Sequence, residues 1–423
     1  MKILAVYRHY WPDTTPYASL LRAILGHLAA QGHEVSVYSA QPSYNDIQHG
    51  KQSKYEFLEG VEIRRIALPR EQKTWKVLRM AIHVIFWLRA ILYVFRSGHY
   101  DLILGSSYPP VLSGVCLRTL RWLTGTPYIY HCQDLHPESI RLAGQLPNRW
   151  LYHRLLRADA LSCAKSVKSV VLSSDMREAL EDRGVPRDKI AIINNFALPS
   201  FREPSQSGLP SPFCQRHDDR NFQVLFAGNH GVFQGLERIV DAAHLLAEDT
   251  SIQFIFMGEG ASKNDLRSRA GELLDKTVFF LPHQTVAVAE AAMQAADLGI
   301  VSLLPGIHRV AFPSKTITYL SAGCPVLCVV ERSSDLAQFL IENEFGYVPQ
   351  SDDPEAIART LIEVKSKWLS GKSRDHRQKI KKQCEILCGR ERTLNSWKNL
   401  IDQLGAVGRA EDKLSMSVDH VAA

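Results

Sequence analysis

Three stretches of this chain hold residue types that could do chemistry. Pro313-Ser314-Lys315 opens a short helical segment that Gly323 closes before the apolar run 325–330. The free amides of that helix start, with the Lys315 ammonium beside them, form a site for phosphate; the plainer alternative is a capped helix with a surface lysine. His131-Cys132-Gln133-Asp134-Leu135-His136 ends an apolar run with a carboxylate between imidazoles, groups that orient hydroxyls and move protons near neutral pH. The alternative there is a strand cap or a satisfied core group. The loop from His9 to Ala18 follows the first apolar run and carries Thr14 and Thr15, which would face a ligand if that run is a parallel strand. A rigid proline turn is the other reading.

Short β-rich runs alternate with longer helical patterns along most of the chain, which argues for an α/β protein of parallel sheets covered by helices. Strands are expected at 2–7, 34–38, 62–67, 101–105, 128–132, 169–173 and 189–193, and again at 223–227, 252–257, 277–281, 298–302 and 325–330. Between the two series, 202–220 (REPSQSGLPSPFCQRHDDR) is rich in proline and serine without apolar period and reads as a linker. The expected organisation is a domain at 1–201, that linker, a second domain at 221–388, a returning helix at 389–404 and a frayed tail at 405–423. Ligands in such a pair sit at the C-terminal strand ends, facing the cleft between the domains.

Composition excludes several classes. With 423 residues, 45% apolar and 22% charged, the chain is neither disordered nor a multi-span membrane protein. Its eight cysteines are scattered with no CxxC and read as reduced thiols. The start, with Arg8 and His9 close behind a short apolar run, is not a signal peptide, so a cytoplasmic location is expected.

The ordered motifs carry a resemblance. Leu225-Phe226-Ala227-Gly228-Asn229-His230-Gly231-Val232-Phe233-Gln234-Gly235-Leu236 comes first, then Phe256-Met257-Gly258-Glu259-Gly260, then Val278-Phe279-Phe280-Leu281-Pro282, then the Pro-Ser-Lys helix and Ala322-Gly323-Cys324-Pro325-Val326-Leu327. The series resembles the nucleotide-sugar half of GT-B glycosyltransferases of family 4, notably the subgroup building bacterial O-antigen, capsule and exopolysaccharide. Asp134-Leu135-His136-Pro137-Glu138-Ser139 is similar to that subgroup's Asp-x-x-Pro-Glu-Ser element. Gly258-Glu259-Gly260 alone would be a weak signal.

The resemblance implies a GT-B fold of two Rossmann-like domains with a helix crossing back, and transfer of a sugar from a nucleotide diphosphate donor with retention and without a metal or other cofactor. Lys315 and Ser314 would meet the diphosphate, with Gly228 and Gly235 bracketing a close approach, Gly258 and Glu259 nearby, and His283 in the loop that reads the base. Two positions depart from the family. Its usual basic pair corresponds to Asn229 and Gln234, both neutral, so Lys315 would bear more of the charge with help from His230. Thr318 stands where a glutamate usually holds the donor ribose and Val310 where an earlier one stands, with His308 and Arg309 close enough to compensate. On the acceptor side, Gln133-Asp134 replaces a His-Asp pair, leaving Asp134 with Lys315 as the catalytic candidates and Gln133, His136, Thr14 and Thr15 as acceptor contacts.

Residues 64–99 hold eight Lys/Arg against the single acid Glu71 and include the most apolar stretch of the chain, 75–96. Arg79, His83 and Arg89 interrupt it, which argues against a membrane span and for a helix lying in an anionic interface through Trp75, Lys76, Arg79, Phe86, Trp87 and Arg89. A buried helix is the alternative. Expected partners are thus a nucleotide-sugar donor, a lipid-linked glycan acceptor and the inner membrane surface; no nucleic-acid recognition motif is present. Two rivals share these motifs: a GT-B sugar-nucleotide epimerase, and a member that has lost catalysis and serves as a scaffold.

Overall fold

The computed structural model describes residues 1–13, 15–43, 50–69, 76–142, 144, 146–198, 213, 221–369 and 373–419. Two sheets organise them. The first has eight strands in the order β3-β4-β2-β1-β5-β6-β7-β8: β1 (Lys2–Val6), β2 (Glu34–Ala40), β3 (Tyr55–Leu58), β4 (Val61–Ile66), β5 (Leu102–Ser106), β6 (Tyr128–His131), β7 (Lys168–Val171) and β8 (Ile190–Ile192). All its neighbours are parallel except the β3–β4 hairpin. The second has six, in the order β11-β10-β9-β12-β13-β14: β9 (Phe222–Ala227), β10 (Ile252–Met257), β11 (Val278–Leu281), β12 (Leu298–Ser302), β13 (Val326–Val329) and β14 (Gly346–Tyr347). Each expected strand is found within a residue or two. The sequence reading misses β3 and β14, which are edge strands too short or too exposed to show an apolar run.

The inner strands are buried along their whole length because helices cover both faces. In each sheet the order reverses beside the first strand, at β1 between β2 and β5 and at β9 between β10 and β12. Crevices therefore open at the C-terminal ends of those strands. The segment 202–220 lies outside the described residues apart from Phe213.

The helices that matter for the site are α1 (Pro16–Ala30), α2 (Lys76–Arg96), α6 (Ser174–Asp182), α10 (Lys315–Ser321), α11 (Asp335–Glu342), α13 (Ser373–Cys388) and α14 (Arg390–Asp419). α14 crosses back to the first lobe, where Leu394, Trp397, Leu400 and Ile401 join its core beside Leu21, Ile24, Leu25 and Leu28 of α1. It does not stop at 404 as a frayed tail would require. The helix runs unbroken to Asp419.

Candidate active site

α10 is fixed from beneath. The Tyr319 hydroxyl accepts from the Ala227 N–H at 2.8 Å and donates to the Leu225 carbonyl at 2.9 Å, stapling α10 to β9. Its ring lies over Gly299, where any side chain would collide. This tether swings Lys315 across the end of β9. The Nζ stands 3.8 Å from the Phe226 ring centroid and so close to Gly228 that a Cβ there would come within 2.6 Å of it. Gly228 has φ +146°, and Gly258 at the end of β10 has φ +142° with its Cα against the Gly228 carbonyl. Two left-handed glycines thus make a flat shelf beside the ammonium. Among the described residues no carboxylate answers Lys315, and burial pulls its pKa down to about 7.

A cavity of about 440 Å³ opens beside Lys315 between the two lobes, with neither shelf glycine in its lining. It brings together Asp134, His136, Gln234, Ser314 and Lys315. The lobes meet around it. Leu135 N–H donates to the Val310 carbonyl at 2.7 Å, and Asp134 bridges Ala311 as a pair of antiparallel strand residues. Asp134 is exposed to the cleft, where partial desolvation between the lobes pushes its carboxyl up to about 6. A larger cavity of about 820 Å³ lies among Phe222, Asp297, Pro325 and Trp368, at the opposite, N-terminal ends of the second sheet's strands. That end of a parallel sheet is not where ligands bind.

Several expected site residues stand elsewhere. His230 is fully buried among Phe226, Phe256 and Phe280, and burial lowers it to about 4, so it cannot share the positive charge of Lys315. His308 pairs with Glu331 at 3.0 Å and Arg309 with Asp182 of the other lobe at 2.5 Å. They hold a loop and the inter-lobe contact rather than replacing a ribose-binding glutamate. Glu259 is exposed and pairs with Lys263 at 2.7 Å, while Lys263 also donates to the carbonyl of Gly258 at 2.9 Å. Asn229, Gly235, Gly258, Glu259, His283 and Thr318 do not line the cavity, although the first four sit on the loops that rim the shelf. Gly235 closes a short turn against Arg238, whose guanidinium is committed to Asp352 and the Leu303 carbonyl.

In the first lobe, Gln133 is locked to Asn195 by a 3.0 Å bond and to His131 at 2.6 Å. His131 is buried beneath, against Tyr7, Tyr17 and Trp397, and its pKa falls to about 3. His136 bonds Ser139 at 2.6 Å and is held neutral, at about 4, mainly by burial. Thr15 precedes α1 without a side-chain cap and does not line the cavity, and Thr14 lies outside the described residues.

The Asp-x-x-Pro-Glu-Ser loop has an anchor the sequence does not reveal. Arg183 is buried and reaches Glu138 at 2.6 Å, Asp159 at 2.9 Å and the His136 carbonyl at 3.2 Å. Tyr130 donates to the other oxygen of Asp159 at 2.9 Å. Arg183 and Asp159 are far from the loop in sequence and carry no motif, so only the fold brings them under it.

α2 also differs from expectation. Phe86 and Trp87 are buried with Ile82, His83, Ala90 and Val94 in the first lobe's core, so they cannot meet a membrane. Arg79 is half-buried, Arg89 is exposed and donates to the Ala67 carbonyl at 2.9 Å, and Trp75 and the Lys76 side chain lie outside the described residues. The exposed face is nonetheless apolar, with Met80, Val84, Leu88 and Leu92 at a spacing of four, and Ile85 and Phe95 alongside. By length and composition the stretch 78–96 could cross a membrane; one side of it is packed onto the sheet. Helical phase, rather than aromatic content, would have picked out the exposed stripe.

With this geometry in place, comparison with known proteins assigns the family. The Glycosyl transferase 4-like domain matches residues 17–195 and Glycosyl transferases group 1 matches residues 221–366. The chain is 26% identical over 385 residues to the putative colanic acid biosynthesis glycosyl transferase WcaI of Escherichia coli, covering 87% of this chain and 92% of that protein. It is 25% identical over 302 residues to the probable glycosyltransferase WbjE of Pseudomonas aeruginosa, covering 70% and 74%. In fold it is similar to Anabaena HepE, solved with UDP and glucose, with a TM-score of 0.67 at 14% identity, covering 96% of this chain and 100% of that one. The two matches together span most of the chain, and the protein belongs to the glycosyltransferases of the GT-B fold.

Proposed function

We propose that the protein transfers a sugar, with retention of configuration, from a nucleotide diphosphate sugar to a lipid-linked glycan during assembly of a cell-surface polysaccharide. One observation carries the reading. Among the described residues Lys315 has no carboxylate partner, and it stands beside a glycine shelf and lines the same inter-lobe cavity as Asp134.

Transfer requires negative charge to leave on the diphosphate as an acceptor hydroxyl approaches the anomeric carbon. A preorganised cation at that oxygen stabilises the transition state without reorganising water. Lys315 supplies it, and the close approach over Gly228 and Gly258 lets the diphosphate reach the ammonium. Asp134, across the cavity, accepts a hydrogen bond from a sugar hydroxyl and fixes the angle of attack. In this reading the charge is answered by Lys315, and turnover persists in EDTA. That HepE was solved with UDP supports a uridine nucleotide as the first donor to test.

The lipid-linked acceptor and a peripheral place on the inner face of the membrane are supported by the exposed apolar stripe of α2. It lies on the lobe that carries Asp134. Thermal shift against UDP, GDP, ADP, CMP and dTDP tests the donor site, because a ligand at a hundred times its Kd adds about 2.7 kcal/mol. Stabilisation by one diphosphate that Lys315→Ala abolishes is the expected result. No response to any nucleotide would instead favour a scaffold, the reading that Thr318 and the neutral Asn229 and Gln234 keep alive.

A further inference from the structure

A second cavity, about 770 Å³, lies on the outer side of the first lobe, between β4, the chain leading into β3, and the C-terminal half of α2. Its lining includes Lys51, Lys54, Arg64, Arg65, Arg89 and Arg96 and, among the described residues, no carboxylate. Arg65 is already committed, to Glu56 and to the carbonyls of Ser53 and Trp11. The other five have no carboxylate partner among the described residues. Like charges gathered without counter-charge repel one another, so a surface that keeps five of them together is poised for an anion.

The cations are held in place from below. Tyr38 and Tyr93 stack at 4.8 Å to floor the cavity. The Arg64 guanidinium lies 4.5 Å from the Tyr93 ring centroid and 5.4 Å from that of Tyr55, and its Nε is buried without a partner. Lys54 stands 5.2 Å from the Tyr55 ring. These contacts orient charge without neutralising it.

The same cavity adjoins the apolar stripe. Leu92 lines it and is exposed, between Arg89 and Arg96 and in line with Leu88 and Phe95. Cations beside an outward apolar row match a molecule with a phosphate head and hydrocarbon chains. We propose that this cavity is a headgroup site for an anionic membrane phospholipid, with the phosphate among Lys54, Arg64 and Arg96 and the chains along Leu88, Leu92 and Phe95. The proposal rests on the membrane-surface reading given above. It adds a site remote from the donor shelf that sets which membrane the enzyme prefers.

The test is flotation of the full chain with vesicles of phosphatidylcholine alone and of phosphatidylcholine mixed with phosphatidylglycerol. Wild type should prefer the anionic vesicles, and Lys51→Gln/Lys54→Gln/Arg96→Gln, all at exposed positions, should lose about a hundredfold in partitioning onto them, at roughly fivefold per cation. Lys379→Gln/Lys381→Gln/Lys382→Gln on α13 changes net charge equally and should bind as wild type. Leu88→Ser/Leu92→Ser should weaken binding to both vesicle types. Unfolding midpoints and UDP binding, which the donor shelf governs, should not change in any variant.

If the first-lobe triple variant keeps the wild-type preference, or the α13 control loses as much, the headgroup site is wrong while membrane association stands. If wild type ignores both vesicle types, the membrane reading itself fails and the site with it. Tight binding of glycerol 3-phosphate to the free protein, lost in the first-lobe variant, would make the cavity a site for a soluble anion and overturn the lipid assignment.

Discussion

Lys315 is least comfortable when its site is empty. Its pKa falls to about 7 through burial, so from there up to the ordinary lysine range the unfolded chain binds more protons than the folded one. Stability of the unliganded protein therefore gains with rising pH across that window as far as Lys315 is concerned. On the proposed donor reading, a bound diphosphate restores the charged form. Above about pH 7 each nucleotide should then draw in one proton, and affinity should fall about tenfold per pH unit. Calorimetry in two buffers of different ionisation enthalpy measures that proton. Lys315→Met should raise the unliganded unfolding midpoint and erase both the proton uptake and the stabilisation by UDP. Arg183 is the opposite case, a buried cation fully answered by Glu138 and Asp159. Replacing it with Met leaves two buried carboxylates unpaired and should cost about 3–5 kcal/mol in denaturant unfolding. Of these two residues only Lys315 is legible in the sequence, because the Pro-Ser-Lys helix start marks it even though Phe226 and Gly228, which it meets in space, lie far along the chain. Arg183 gains its role from partners far along the chain, and the neutral state of His230 follows from three phenylalanines on three strands.

At the level of elements, what the sequence conveys well is the alternation of strand and helix, since full burial of parallel strands writes continuous apolar runs. What it conveys poorly is which face of a helix looks out. α2 illustrates this: its large aromatics Phe86 and Trp87 turn inward, and the smaller aliphatic residues at Val84, Leu88 and Leu92 form the outer stripe. α10 raises a different point, because a seven-residue helix has little stability of its own and depends on tertiary contacts. The Tyr319 hydroxyl supplies two of them. Tyr319→Phe should cost about 1–3 kcal/mol by leaving the Ala227 N–H and the Leu225 carbonyl unpaired. It should also weaken UDP binding while leaving acceptor affinity unchanged, since Lys315 loses its tether. Kinetics with each substrate varied in turn separates the two effects.

For the whole molecule, the lobes are joined by a crosswise arrangement of helix starts. The N–H of Ser174 in α6 donates to the carboxylate of Asp335 at 2.8 Å, and the N–H of Asp335 in α11 donates to the carboxylate of Asp175 at 2.9 Å. Two positive helix ends thus face each other across the cleft, each answered by the other's aspartate. Asp175→Asn/Asp335→Asn should loosen this closure, enlarging the radius of gyration in solution scattering and lowering kcat, with donor binding to the second lobe retained. A second consequence concerns α14. Its Leu394, Trp397, Leu400 and Ile401 complete the core of the lobe that the first half of the chain builds, and Gly405 packs against Met1. During synthesis that lobe therefore waits, with the apolar face of α1 uncovered, until α14 has emerged. The lobe that is synthesised first is thus completed last, when Trp397 and Ile401 settle against α1.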